Sequence, residues 1–178
     1  MDSFEILKQK LEQASIPKRT KVFKRGAYIK RPNTVDTAVY FVVSGSLRVF
    51  FSEGEDEHIL YFGYKNSLIT DIDSFFSEEK SELAIQALKR TQVCYVSKQD
   101  FMRFIHSSEE NRSLWDRVVA DLIRFQTERE KDLFAASPVK RYERTMTRRP
   151  DLFQEIPNKY IASYLRMTPE TLSRIRKY

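Results

Sequence analysis

The segment Ile156–Tyr178, IPNKYIASYLRMTPETLSRIRKY, decides how the chain is read. It predicts two short helices separated by about three residues. In the first, Tyr160, Ile161, Ala162 and Leu165 repeat at the helical period, and in the second Leu172 and Ile175 do the same. Thr168 is a preferred N-cap, Pro169 suits the first helical position, and Glu170 complements the positive end of the helix dipole. Ala162 is the small residue where the second helix must cross closely. These are the marks of a helix-turn-helix, whose second helix enters the DNA major groove.

The outward face of that second helix carries Glu170, Thr171, Ser173, Arg174 and Lys177, with Arg176 alongside. Glutamate accepts from cytosine N4, arginine bonds guanine bidentately, and hydroxyls and lysine suit phosphates or thymine edges. A solvated face on an ordinary amphipathic helix has the same composition, so charge distribution must decide. The chain has 31 basic and 25 acidic residues, a net charge of +6. Ten of the basic and four of the acidic residues lie from Ser137 onward, leaving 21 of each sign before it. The whole excess therefore falls on the last quarter, where it attracts phosphate.

A hydrophobic content of 41% and a charged content of 31% predict a folded, soluble chain of 178 residues. The opening MDSFEILKQKLEQASIP is not a signal peptide, and no stretch approaches the ~18 apolar residues of a membrane span. Cys94, the one cysteine, lies in the apolar run Val93–Val96 and reads as a core residue. A cytoplasmic location is the expectation.

Residues 2–14 place Phe4, Leu7 and Leu11 at helical spacing, ended by Pro17. From Thr20 the rhythm changes to short apolar, β-branched and aromatic segments: Val22-Phe23, Ala27–Ile29, Val39–Val43, Leu47–Phe51, Ile59–Phe62 and Val93–Val96. Turn residues punctuate them, and Ser44-Gly45-Ser46 reads as a tight hairpin. Many short strands predict a sandwich or jelly-roll barrel, giving an α+β chain. The rhythm breaks between Tyr64 and Gln86, where an irregular or short helical insert is the expected place for a ligand pocket.

Arg112–Phe134 reads as one long helix free of Gly and Pro. Trp115, Val118, Leu122 and Phe125 step by three or four residues, the spacing of a dimer seam, while Leu114, Val119, Ile123 and Leu133 add apolar surface elsewhere. The expectation is one face on the barrel and the seam on a second subunit. The alternative is a helix buried in its own domain. Ser137-Pro138 then opens a basic helix, closed by Pro150, that completes a three-helix unit. The expected domains are a barrel over 1–110, a long dimerisation helix over 111–136 and a helix-turn-helix domain over 137–178.

This order of barrel, long helix and C-terminal helix-turn-helix resembles the cyclic-AMP receptor protein and FNR (Crp/Fnr) superfamily of bacterial transcription regulators, in a short form. The strings TPETLSRIRK with IPNKYIASYL before it, REKDLFAASPVKRY from Arg129 to Tyr142, and the VVSGSLRVF segment carry the resemblance. It implies a homodimeric regulator on an inverted-repeat operator in double-stranded DNA, with RNA polymerase as a further partner. Glu170 and Arg174 occupy positions where family members contact bases. Ser173 fits an FNR-like pattern of Glu, two residues, Ser and Arg, while Lys159, Thr168, Thr171 and Lys177 complete the expected DNA-binding set. Pro169 departs from the receptor-protein branch, Arg166 stands where Gly is common, and many members continue past the position of Tyr178 into a further hairpin.

The resemblance also implies a cyclic-nucleotide cassette, usually Gly-Glu before the short helix and Arg-Ser or Arg-Ala after it. Here Thr70, Asp71, Ser81 and Glu82 stand at those places, so the phosphate-binding arginine is missing and control by cyclic AMP is not expected. A one-residue slip of that alignment would bring Lys80 to the phosphate. Iron–sulfur sensing needs a cysteine cluster, and His58 and His106 sit in polar surroundings unsuited to haem. No cofactor, membrane partner or enzymatic activity is expected, since no phosphate loop, metal-spaced pair or nucleophile elbow is present. The alternatives are a regulator responding to another small effector in the barrel, and a protein-interaction module with weakened DNA binding.

Overall fold

A computed structural model describes residues 3–177. Helix α1 (Ser3–Gln13) precedes eight strands: β1 (Arg19–Phe23), β2 (Tyr28–Lys30), β3 (Val39–Ser44), β4 (Ser46–Glu53), β5 (Asp56–Tyr64), β6 (Leu68–Ile69), β7 (Ala84–Ala87) and β8 (Thr91–Val96). A short helix, α2 (Ile72–Ser77), interrupts them between β6 and β7. The strands form two four-stranded antiparallel sheets, ordered β1-β8-β3-β6 and β2-β7-β4-β5. This is a double-sheet jelly roll.

Alternation along the strands places one apolar cluster between the sheets and one outside each of them. Tyr40, Val42, Leu47, Val49, Ile85 and Val93 fill the interior. Outside the β1-containing sheet, Val39, Phe41 and Val96 pack against Leu7, Leu11, Phe101, Leu114 and Val118. These last residues come from α1, from α3 (Lys98–Ile105) and from the long α4 (Glu109–Leu133). Outside the β2-containing sheet, Phe50, Ile59, Phe62 and Ala84 meet Leu152, Phe153, Ile156, Ile161, Tyr164 and Leu172. The C-terminal helices α5 (Pro138–Arg148), α6 (Leu152–Glu155), α7 (Asn158–Tyr164) and α8 (Pro169–Ile175) therefore share a core with the barrel.

Two sequence expectations change. Ser44-Gly45-Ser46 is not a hairpin, because β3 pairs with β8 and β6 while β4 pairs with β5 and β7. The tripeptide is the corner where the chain crosses from one sheet to the other. Gly45 sits at φ +91°, and a Cβ there would lie 2.5 Å from the Arg90 carbonyl and from Thr91 Oγ1. Thr91 Oγ1 also accepts from Ser46 N and donates to the Ser46 carbonyl, locking the corner. The true hairpin is β4–β5, turning at Gly54 (φ +62°).

The second change concerns the long helix. It begins three residues before the expected Arg112, because Ser108 caps it by accepting from Asn111 N. Val118, placed in a dimer seam by its spacing, is 0% exposed within its own chain. Trp115 packs on Phe101 and Phe75, Leu122 joins the same cluster, and the Arg149 guanidinium covers Phe125. Val118 is thus a core residue while Trp115, Leu122 and Phe125 stay half-buried, since a three-four spacing describes either surface. Elsewhere on the helix, Ile123 is 63% exposed, and Phe134 at its C-cap is 80% exposed.

Candidate nucleic-acid interface

Two short helices, α7 and α8, meet through the turn from Leu165 to Met167. Ile161, Ala162 and Leu165 from the first and Leu172 from the second are each 0–1% exposed, so the pair is held by its apolar faces. Thr168 caps α8 by accepting from Thr171 N, and Pro169 occupies the first turn, as the sequence reads. Arg166 adopts the left-handed conformation at φ +52°, unfavourable for a side chain with a Cβ. Arg141 of α5 supports this turn, donating to the Leu165 carbonyl at 2.9 Å and the Arg166 carbonyl at 3.1 Å. A third donation, to the Ala135 carbonyl, ties the turn to the end of α4.

On the opposite face Glu170, Ser173, Arg174 and Lys177 are exposed, as are Thr168 and, on α7, Lys159. Thr171 is half-buried, with its hydroxyl 3.1 Å from that of Thr168. The Glu170 carboxyl is held below the usual range by its own backbone N–H and by Thr168, so it is an acceptor at neutral pH. The Lys159 ammonium rests 4.6 Å over the Tyr160 ring. Arg176 is engaged differently, bonding Asn158 Oδ1 and linking α8 back to α7. Arg148 is likewise committed, pairing with Glu128 and Asp132 of the long helix. The face thus offers a carboxylate acceptor, hydroxyls and exposed cations, a set suited to base edges and phosphates.

The barrel residues of the expected nucleotide cassette are drawn into internal bonds. Asp71 is 0% exposed, caps α2 by accepting from Ser74 N, and lies 2.6 Å from the Lys30 ammonium. Lys30 is itself 3% exposed and also donates to the carbonyls of Ser81 and Leu83, at 2.8 and 2.6 Å. Ser81 Oγ accepts from Leu83 N, and Thr70 Oγ1 donates to the Ala38 carbonyl. Tyr61 donates its hydroxyl to the Thr70 carbonyl, and burial, with Asp71 nearby, pushes its pKa up. Glu82 and Lys80 are exposed and take no part.

Lys30 and Arg141 are the residues sequence reasoning missed. Lys30 ends an apolar strand segment, where a lysine is buried only with partners, but its partner Asp71 lies 41 positions away. Nothing local marks Arg141 among the neighbouring cations of α5. Among the described residues no His, Cys, Asp and Glu group is arranged to hold a metal ion, and no helix is long and apolar enough to cross a membrane.

Residues 20–108 match the cyclic nucleotide-binding domain, and the chain belongs to that family. No curated protein matches it significantly. Among solved structures, FixK2 from Bradyrhizobium japonicum superposes with a TM-score of 0.74 at 19% identity, over 91% of this chain and 84% of that one. A CooA mutant from Carboxydothermus hydrogenoformans gives 0.73 at 18% identity, over 99% and 83%. The c-di-GMP responsive global regulator CLP from Xanthomonas campestris gives 0.65 at 14%, over 96% and 89%. The fold of Crp/Fnr-type regulators is thus shared along nearly the whole chain, from the jelly roll through the long helix to the C-terminal helices.

Proposed function

We propose that this protein is a sequence-specific DNA-binding transcription regulator, with α7 and α8 as its helix-turn-helix and α8 as the reading helix. The observation that carries this is the two-sidedness of α8. Its Leu172 is fully buried against the barrel-facing core, while Glu170, Ser173, Arg174 and Lys177 remain unshielded. The net positive charge of the last quarter supports the reading, as does the shared fold of the regulators above. Arg174 and Glu170 discriminate bases, and Lys177 and Lys159 hold phosphates.

The protein acts as a homodimer through the outward stripe of α4, where Ala120, Ile123, Thr127 and Phe134 step by three, four and seven residues. All four are exposed. Two reading helices about 34–36 Å apart then enter successive major grooves of an inverted repeat. Ile123→Glu is expected to yield monomers in light scattering, and a dimer that survives it places the contact elsewhere. Cyclic AMP is not the controlling ligand. The buried cation of the cassette, Lys30, is already held by Asp71 and two carbonyls and is not free to take a cyclic phosphate. The reading is of a regulator and not of an enzyme.

Selection from a random DNA pool followed by gel shifts tests the reading. Arg174→Ala is expected to cost roughly 1–3 kcal/mol on the selected site and to relax preference there. Lys177→Ala weakens all sequences alike and lowers the salt slope by about one unit. Equal loss on selected and random DNA for Arg174→Ala would remove base reading from this helix, and failure to enrich any sequence would sink the reading itself.

A further inference from the structure

With the nucleotide cassette closed on itself, open space lies elsewhere. A cavity of about 220 Å³ opens outside the barrel, between α1 and the sheet that contains β3 and β8. Its floor is apolar, made by Leu11, Ile16, Phe41, Cys94 and Val96, with the exposed Val43 at its mouth. Its rim is cationic, carrying Lys8, Lys18 and Lys65 against the one carboxylate of Glu12. Lys8 bonds Asn66 Oδ1 at 2.8 Å and lies 3.4 Å from Glu12, while Lys18 donates to the Glu12 carbonyl. Among the described residues Lys65 makes no ion pair. Burial pushes the Cys94 thiol up, so the floor holds a neutral thiol and no competing anion.

We propose that this cavity binds a small amphipathic monoanion, an aliphatic carboxylate of about six to eight carbons. Its size, about seven water volumes at ~30 Å³ each, falls below that of drug-sized sites and matches a short alkyl chain. The floor offers hydrocarbon and no arrayed donors, which suits an alkyl chain and disfavours a sugar or a dicarboxylate. The unbalanced lysines at the mouth suit a carboxylate and repel an amine. Leu11, Phe41 and Val96 belong to the cluster that seats Leu114 and Val118 of the long helix, so an occupant presses on the packing of α4. The binding itself is independent of the DNA reading above.

Calorimetry on the full DNA-free chain, with butanoate, hexanoate, octanoate, octanol and octylamine, tests this. One octanoate per chain is expected. Each methylene removed should weaken binding about fourfold, the equivalent of ~0.8 kcal/mol per buried CH₂. Octanol and octylamine should bind at least about tenfold more weakly, for want of a charge-assisted bond. Lys65→Ala should weaken octanoate roughly tenfold, and Val43→Trp, a change at the half-open mouth, should abolish binding while the circular dichroism stays unchanged. Bound octanoate should also slow the reaction of Cys94 with methyl methanethiosulfonate, which forms a methyl disulfide on the sulfur and releases methanesulfinate. No saturation by about 10 mM, equal affinity for octylamine, or binding indifferent to both variants would each overturn the proposal. So would lysine-dependent retention on phosphatidylcholine–phosphatidylglycerol vesicles without saturable octanoate binding, which assigns the lysines to a membrane surface.

Discussion

The two outer faces of the barrel are both covered, but by different chemistry. Over the β1-containing sheet, α1, α3 and α4 supply Leu7, Leu11, Phe101, Ile105, Leu114 and Val118, all 0–2% exposed. The edge-on rings of Phe75, Phe101 and Trp115 complete that cover. Over the β2-containing sheet the apolar cluster is bordered by arginines. Arg48 is held by Glu57 and Gln86 and lies 3.9 Å over Phe50 and 5.1 Å over Tyr160. Arg129 donates to the Ile59 carbonyl and covers Tyr164, and Arg149 reaches Tyr64. A cover made of aliphatic and aromatic carbon is part of the barrel's own core. A cover bordered by charge-assisted bonds is more polar at its edge, as interfaces between domains are.

The largest expected effect comes from the link between the two sheets. Lys30 belongs to the β2-containing sheet, whereas Asp71 follows β6 of the other one. Lys30→Met leaves a fully buried carboxylate without its cation and is expected to cost about 3–5 kcal/mol in urea unfolding. Lys30→Met combined with Asp71→Leu should recover most of that loss. A loss under about 1 kcal/mol for Lys30→Met alone would show that the sheets are joined by their shared apolar interior and not by this pair.

The comparison of covers sharpens with Leu114→Ala, expected to cost about 2–5 kcal/mol as a cavity in a mainly apolar cover. Amide exchange should then accelerate across the whole barrel. Arg129→Ala is expected to cost less, about 1–2 kcal/mol, for one charged hydrogen bond and one cation–π contact. Its effect should be local, with faster exchange in α7 and α8 and little change in β3 and β8. If Arg129→Ala loosened both sheets equally, the two covers would be one cooperative unit and the contrast would fall.

How far the sequence led can be judged at particular residues. Thr168 and Pro169 announced the start of α8 because capping chemistry is local, and Leu172 announced its buried face because helical periodicity is local. Gly45 misled because a glycine between two serines signals a reversal of direction, whether the strands then pair or separate into different sheets. Val118 misled because heptad spacing records an apolar stripe and not what covers it. Lys30 and Asp71 were illegible as a pair because β2 and α2 approach only through the fold. Thr70, Asp71, Ser81 and Glu82 include no arginine, and the cation beside Asp71 is Lys30, which comes from a distant strand.

The shared cluster of Phe50, Ile59 and Phe62 with Leu152, Ile161 and Leu172 bears on what can be cut from this protein. A segment joined by a polar linker can be excised, expressed alone or grafted to another sensor. The helices from Pro138 onward do not meet that condition, because their buried face is completed by strands β4 and β5. Severed at the end of α4, both pieces would carry a raw apolar surface, and such surfaces self-associate. The C-terminal helices and the barrel are thus a single unit for engineering, and a chimera that respects the fold must carry the β4–β5 hairpin along with the helices it supports.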